Sequence, residues 1–355
     1  MLYAFFHQND VTDAQGGIER YVDTLIAAAG DEGLLVSEPP ARPASNRLGL
    51  PLPRLKGPKW IPFALAVWSH IGKIRARLKA SATRVLEFSR PEYVAFAWAL
   101  PGARVFTIHG TGPGAGEKAK RAIHDAACWA LPLVADRVQV VGRDDSGLSE
   151  GVIRRLGPRL AHIDAWYDDR FTATPLPRSE KTIVFYAGRI VEQKNPKLLF
   201  EIIREGKRRH GDALEFRYFG KDVEEIEKAG LADLVTCTGL LDAAGLTKAI
   251  SECHMGLMCS HFGEGSPFIV VETLACGRPY VLSPLPTLTG AYGDNPFARF
   301  TTEWSADAFL ETIATVKADV DAGRIDPDAV RASVAHRAKP VATRALLDEL
   351  GRLAR

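Results

Sequence analysis

Thr182-Ile183-Val184-Phe185-Tyr186-Ala187 runs straight into Gly188-Arg189-Ile190-Val191-Glu192-Gln193-Lys194-Asn195-Pro196. The first six residues are β-branched or aromatic almost throughout, the pattern of a strand buried on both faces of a parallel sheet. Gly188 ends the run, and Pro196 suits the first turn of a helix. The stretch therefore predicts a strand at Thr182–Ala187, a polar loop, and a helix at Pro196–Arg209. Strand, loop and helix in that order open a βαβ unit. This opening follows the linker-like Asp169 to Lys181, which contains Thr172-Ala173-Thr174-Pro175-Leu176-Pro177.

The pattern continues outward on both sides. Downstream come strands at Glu215–Phe219, Leu234–Thr236 and Met255–Cys259, then a helix from about Pro267. Upstream lie strands at Leu2–Phe6, Val85–Phe88, Val105–Ile108 and Val138–Val141. Ile18, Tyr21, Val22, Leu25, Ile26 and Ala29 form one helical stripe after the first strand. Alternation of this kind predicts an α/β fold with mostly parallel sheets. The expected division is an N-terminal unit over residues 1–172 and a C-terminal unit over 173–339. A closing helix at about 340–355, carrying Val341, Leu346, Leu347 and Leu350, packs back on the first unit.

The length of 355 residues suits two domains at roughly 100–200 residues each. With 46% hydrophobic and 25% charged residues, the chain has the balance of a folded globular protein rather than a disordered one. A net charge of +2 argues against a dedicated nucleic-acid binder. The five cysteines, Cys128, Cys237, Cys253, Cys259 and Cys276, form no Cys-x-x-Cys pair. Free thiols in a reducing cytoplasm are the expectation. Met1 to Phe6 is stopped by His7-Gln8-Asn9-Asp10, too soon for an export signal. No apolar run reaches the ~18–20 residues of a membrane span.

Charge is unevenly placed. From Pro39 to Leu86 there are ten basic residues and no acid: Arg42, Arg47, Arg54, Lys56, Lys59, Lys73, Arg75, Arg77, Lys79 and Arg84. Phe63, Val67, Ile71, Ile74 and Leu78 recur there at helical spacing, with Pro62 as the expected first helical residue. A basic amphipathic helix suits an anionic membrane surface or an anionic acceptor, and Phe63 and Trp68 would meet apolar material. The plain alternative is a solvated face over an ordinary core helix.

Four stretches carry chemistry. In Glu264-Gly265-Ser266-Pro267-Phe268-Ile269-Val270-Val271-Glu272, Ser266 reads as an N-cap and Pro267 as the first helical residue, with Gly277 and Pro279 as the stop. A capped helix start is an anion site, and Glu272 on the helix body is within reach of a ribose diol. In the stretch quoted first, Arg189 offers a planar fork and Lys194 a point charge for a phosphate. Two solvated loop charges are the plain alternative. Gly16 and Gly17 precede Ile18-Glu19-Arg20, where a backbone can approach a ligand at a helix start. His109 ends a strand before Gly110-Thr111-Gly112-Pro113-Gly114-Ala115-Gly116, at the strand ends where α/β sheets bind ligands. Neither Gly-x-Gly-x-x-Gly nor a P-loop occurs.

Together and in this order, these stretches resemble the retaining nucleotide-sugar glycosyltransferases of family 4. The resemblance implies the GT-B architecture of two facing Rossmann-like domains, the first for the acceptor and the second for the donor. The family's Glu-x7-Glu pattern falls on Glu264 and Glu272, and its donor-phosphate group on Gly188, Arg189 and Lys194. Its glycine pair falls on Gly16 and Gly17, and its interdomain histidine on His109. Implied roles follow. Arg189, Lys194, the start at Gly265, Ser266, Pro267 and Phe268, and the Gly17 amides stabilise a leaving diphosphate. Glu264 holds donor-sugar hydroxyls, Glu272 the ribose, and His109 the sugar's far side. The implied reaction is retaining, needs no metal or other cofactor, and serves a glycan or lipid-linked acceptor in cell-surface glycan, glycolipid or glycoconjugate synthesis. Peripheral attachment to the inner face of the cell membrane would follow from the basic block. Departures are Ile163-Asp164-Ala165-Trp166 at the hinge, Asn195 after Lys194, and Ser266-Pro267 in the donor loop. Rival readings are a catalytically silent nucleotide-sugar-binding or scaffold protein and a GT-B sugar-nucleotide 2-epimerase.

Overall fold

The computed structural model describes residues 1–11, 17–40, 44–109, 118–143 and 145–354. Gly16, Arg42 and the glycine-rich stretch after His109 lie outside the described residues. The chain forms two compact units, Met1–Ile163 with Pro340–Arg355, and Asp164–Lys339.

In the first unit the strands are β1 (Leu2–Phe6), β2 (Gly33–Ser37), β3 (Arg47–Gly49), β4 (Arg84–Phe88), β5 (Ala103–Ile108), β6 (Arg137–Val141) and β7 (Leu160–Ile163). They form one sheet in the order β3-β2-β1-β4-β5-β6-β7, every pair parallel. Most strand residues are apolar, as in a sheet covered on both sides, but Ser37, Glu87, Thr107 and Gln139 are buried among them. Phe6, Phe88 and Phe106, side by side on β1, β4 and β5, stack with ring centroids 4.9 and 4.8 Å apart. The closing helix Lys339–Leu353 docks on this unit. Leu346, Leu347 and Leu350 are buried, and Tyr3 donates its hydroxyl to the Leu347 carbonyl at 2.9 Å.

The second unit holds β8 (Thr182–Ala187), β9 (Leu214–Phe219), β10 (Val235–Cys237), β11 (Met255–Met258), β12 (Tyr280–Leu282) and β13 (Ala298–Phe300). Their order is β10-β9-β8-β11-β12-β13, again all parallel. Both sheets are doubly wound. The strand order reverses between β1 and β4 in one and between β8 and β11 in the other, and the crevice at such a switch point is where open α/β sheets bind ligands.

Three expectations are corrected. The division falls at Ile163 and Asp164 rather than at 172 and 173, because Ala165, Tyr167 and Phe171 bury in the second unit's core. The linker-like stretch is fastened there as well. Fully buried Arg278 donates to the carbonyls of Thr174 and Pro175, each at 2.8 Å. The two segments at the unit boundary pair with each other: Tyr167 N donates to Arg337 O at 3.0 Å, and Lys339 N returns to Tyr167 O at 2.8 Å. The single helix expected from Pro62 is two, Trp60–Ser69 and Ile71–Lys79, broken where His70 Nδ1 reaches back to the Ala66 carbonyl at 2.9 Å. Phe63 is fully buried in the core and meets no outside surface.

Candidate active site

In the second unit, β8 delivers Gly188 and Arg189 to the switch point. Gly188 has φ +138°, a conformation L side chains rarely adopt, which explains the glycine. Its carbonyl accepts from Tyr218 Oη, and the Arg189 carbonyl from Tyr186 Oη, both at 2.9 Å. The strand end is thus rigid while the Arg189 side chain stays exposed. That guanidinium has no hydrogen bond or ion pair among the described residues. Asn195 explains its own departure from glycine. It takes the left-handed conformation at φ 53°, which asparagine tolerates, and its Oδ1 accepts from Leu198 N to cap the helix Pro196–His210.

Lys194 is held differently. Its Nζ forms an ion pair with Glu264 Oε1. Ser260 Oγ donates to the same oxygen at 2.9 Å, and Gln193 Nε2 bridges Glu264 Oε1 at 3.3 Å and Gly263 O at 2.7 Å. Glu264 is 5% exposed, so its loop is pinned from β8's loop and from the end of β11 at once. Gln193 and Ser260 were not singled out by spacing; Ser260 lies two residues past β11, and Gln193 in the turn Glu192–Lys194 that follows β8.

The expected cap does not form. The helix is Phe268–Ala275, Pro267 is its N-cap position without a side-chain bond, and Ser266 is not a cap. Ser266 Oγ instead accepts from Ala165 N at 2.9 Å, tying the loop to the segment that enters the unit. Phe268 packs edge-to-face on Trp166 at 6.2 Å. Glu272 lies within this helix, 3% exposed. The structure thus brings Lys194 of the loop opened by Gly188 and Arg189 onto Glu264, and ties Ser266 of the Glu264 loop to Ala165.

His109 and Gly17 belong to the first unit. Gly17 opens the helix Gly17–Ala29. His109 follows β5 and lines a cleft of about 460 Å3 with Gln8, Ser89 and Arg90 from the ends of β1 and β4. Burial, reinforced by the nearby His7 and Arg90 charges, pushes its imidazole down to about 3, so it is neutral at physiological pH. Tyr21 stacks edge-on against it at 5.0 Å. His7, read in the sequence only as part of a polar stop, is fully buried. It shares a hydrogen bond with Ser89 Oγ at 2.7 Å and lies 3.4 Å from Glu19. The His7 hydrogen bond holds the Glu19 carboxyl down at about 2.

Among the described residues no three His, Cys, Asp or Glu side chains gather as a metal-holding group, and no helix is long and apolar enough to cross a membrane. The five cysteines are free thiols.

Solved structures share the fold over the whole chain. Sucrose-phosphate synthase from Thermosynechococcus elongatus is 17% identical, with 99% of this chain and 98% of that one covered at TM-score 0.75. HepE of Anabaena, solved with UDP and glucose, is 14% identical with 98% of each covered at TM-score 0.71. A glycosyltransferase from Rickettsia africae is 13% identical, with 99% and 98% covered at TM-score 0.69. No curated protein matches the chain by sequence. Two doubly wound domains of this type place the chain in the GT-B fold class. Residues 181–319, which hold β8 through β13 and the Arg189 and Glu264 loops, match the family model described as glycosyl transferases group 1. The second unit carries a group 1 glycosyltransferase domain, and the chain is a glycosyltransferase.

Proposed function

We propose that the enzyme moves a sugar from a nucleoside diphosphate-sugar to an acceptor hydroxyl, with retention at the anomeric carbon and without a metal ion. One observation carries the reading: an exposed guanidinium with no partner among the described residues, Arg189, on a rigid strand end at the second unit's switch point. As the glycosidic bond stretches, negative charge grows on the leaving diphosphate, and a preorganised cation aimed there stabilises the transition state. Lys194 adds a second positive charge, oriented by Glu264, Gln193 and Ser260. In the favoured front-face route the leaving phosphate oxygen takes the acceptor proton. Glu264 and Glu272 serve the donor sugar and ribose, and His109, neutral, offers hydrogen bonds rather than charge. HepE is solved with UDP-glucose, which makes uridine donors the first to try.

Diphosphate release from a panel of nucleotide-sugars, with and without acceptor and EDTA, tests this. Release should need acceptor and survive EDTA, and proton NMR should find the donor's anomeric configuration in the product. An inverted product, or a strict need for magnesium or manganese, would overturn the corresponding part. Binding without release would favour the silent-scaffold rival, and a changed sugar without transfer the epimerase.

The proposed setting is the cytoplasm, in glycan or glycolipid synthesis, with peripheral contact to anionic lipid. Leu65, Trp68 and Trp98 are exposed together, the two indoles 5.7 Å apart, and Lys73 and Lys79 are exposed on the neighbouring helix. Arg75 and Arg84 are spent on backbone carbonyls and Arg47 on Asp10, so fewer of the ten cations face outward. Sedimentation with phosphatidylglycerol vesicles should fall with salt and in a Lys73/Arg77/Lys79→Glu variant.

A further inference from the structure

The cleft of the first unit holds polar groups that the chain leaves unanswered. Gln8 and His124 line it, each 6% exposed, and Gln8 Oε1 and His124 Nε2 have no hydrogen-bond partner among the described residues. Folded proteins seldom leave buried atoms unpaired unless a ligand or water meets them. The cleft lies at the C-terminal ends of β1, β4 and β5, at that sheet's switch point.

Its charge is one-sided. Among the described residues, Lys59, Arg90 and Lys120 line it with one carboxylate, Glu92, whose Oε1 meets His124 Nδ1 at 3.0 Å and whose Oε2 has no partner. Burial alone would raise the Glu92 carboxyl, but the His124 bond and the Arg90 charge outweigh it and keep Glu92 ionised. Arg90 is half-buried with Nε enclosed, and no described residue gives its guanidinium a hydrogen bond or ion pair. Among the described residues Lys59 Nζ reaches only a neutral amide, Asn9 Oδ1 at 3.3 Å. A partly desolvated, unpaired guanidinium is costly unless an anion meets it, and its planar fork fits two oxygens of one phosphate.

We propose that this cleft binds the acceptor through a phosphate monoester seated on Arg90 and Lys59, with Trp60 against the body of the molecule. The volume of about 460 Å3 lies within the range of small-ligand sites, roughly 300–1,000 Å3, so it holds one phosphorylated unit rather than a long glycan. The acceptor role rests on glycosyl transfer being the reaction. The phosphate can belong to a soluble sugar phosphate or to a lipid.

Calorimetry on the full chain decides. Glucose 6-phosphate should bind and glucose should not, and Arg90→Gln should weaken glucose 6-phosphate by about tenfold or more. UDP binding should survive Arg90→Gln and be lost in Arg189→Gln, whereas Arg189→Gln should keep glucose 6-phosphate. If the wild type ignores glucose 6-phosphate but sediments with phosphatidic acid vesicles and not phosphatidylcholine ones, with Arg90→Gln abolishing it, the phosphate is lipid-borne and the assignment stands. Equal affinity for glucose and glucose 6-phosphate, or no binding in either arm, overturns it. Should Arg90→Gln lose UDP as well, Lys59→Met must show the same selective loss, and its failure to do so overturns the proposal. Wild-type chain that binds glucose 6-phosphate but never UDP would instead sink the donor reading and leave the anion site intact.

Discussion

Arg189 and Lys194 carry the same charge in different circumstances. Among the described residues the exposed Arg189 guanidinium has no hydrogen bond or ion pair, so its removal breaks none. Arg189→Ala should lower kcat about 100–1,000-fold, the usual effect of losing one preorganised transition-state contact, with an unchanged melting temperature. Near-wild-type turnover would remove Arg189 from the phosphate role. Lys194 is tied to Glu264, with only 16% and 6% of the two side chains exposed. Taking away one partner leaves the other charge largely enclosed, which is worse than losing both. Glu264→Gln and Lys194→Met should each destabilise the fold, and the double variant should cost less than their sum by about 0.5–3 kcal/mol in urea unfolding. Strict additivity would mean the pair is not coupled.

Among elements, legibility did not simply follow position in the sheet: β2, interior and buried along its length, went unread, while the edge strand β10 was expected one residue early at Leu234–Thr236. β1 and β8 read correctly to the residue because burial on both faces makes each an unbroken apolar run. β3, β12 and β13 have three residues each, too short for a period to show, and β7 at the sheet edge is only half-buried along its length. The site shows the same limit. Spacing found Arg189, Lys194 and Glu264, which lie in recognisable loops, but not the bond from Gln193 to Glu264 across 71 positions of chain. Ser266 before Pro267 has the composition of a cap and acts as a tether, a choice made by Ala165 far away. β4 adds a titration. Glu87 is 1% exposed, and burial, only partly offset by the Thr107 hydroxyl, raises it from 4.5 to about 8. Between those values the unfolded chain releases this proton and the folded one keeps it, so stability falls as pH rises, by up to about 1.4 kcal/mol per unit. Glu87→Gln lacks that penalty. Its stability advantage in urea unfolding should be absent below pH 4.5, widen towards pH 8 and then level; a constant difference would contradict a buried neutral carboxyl.

At the scale of the whole molecule, the first unit is assembled from both ends of the described chain. Leu346, Leu347 and Leu350 are buried on it, and each such side chain is worth roughly 1.5–3 kcal/mol. A chain stopped after Lys339 should therefore lose several kcal/mol in that unit alone. Hydrogen exchange reads this directly: amides of β1, β4 and β5 should lose protection, while those of β8, β9 and β11 keep it. Loss spread evenly over both sheets would show that the helix serves the whole chain rather than one unit.

The same closing helix sets an order of events on the ribosome. Domains commonly fold as the nascent chain emerges, the N-terminal one first. Here the first sheet appears early but waits for Leu346 to Leu350, which leave the ribosome only after every strand of the second unit has been made. The glycosyltransferase domain of residues 164–339 is contiguous and can mature first, while its older neighbour stays incomplete with an uncovered apolar strip. That strip is the part of the newborn chain on which a chaperone would act.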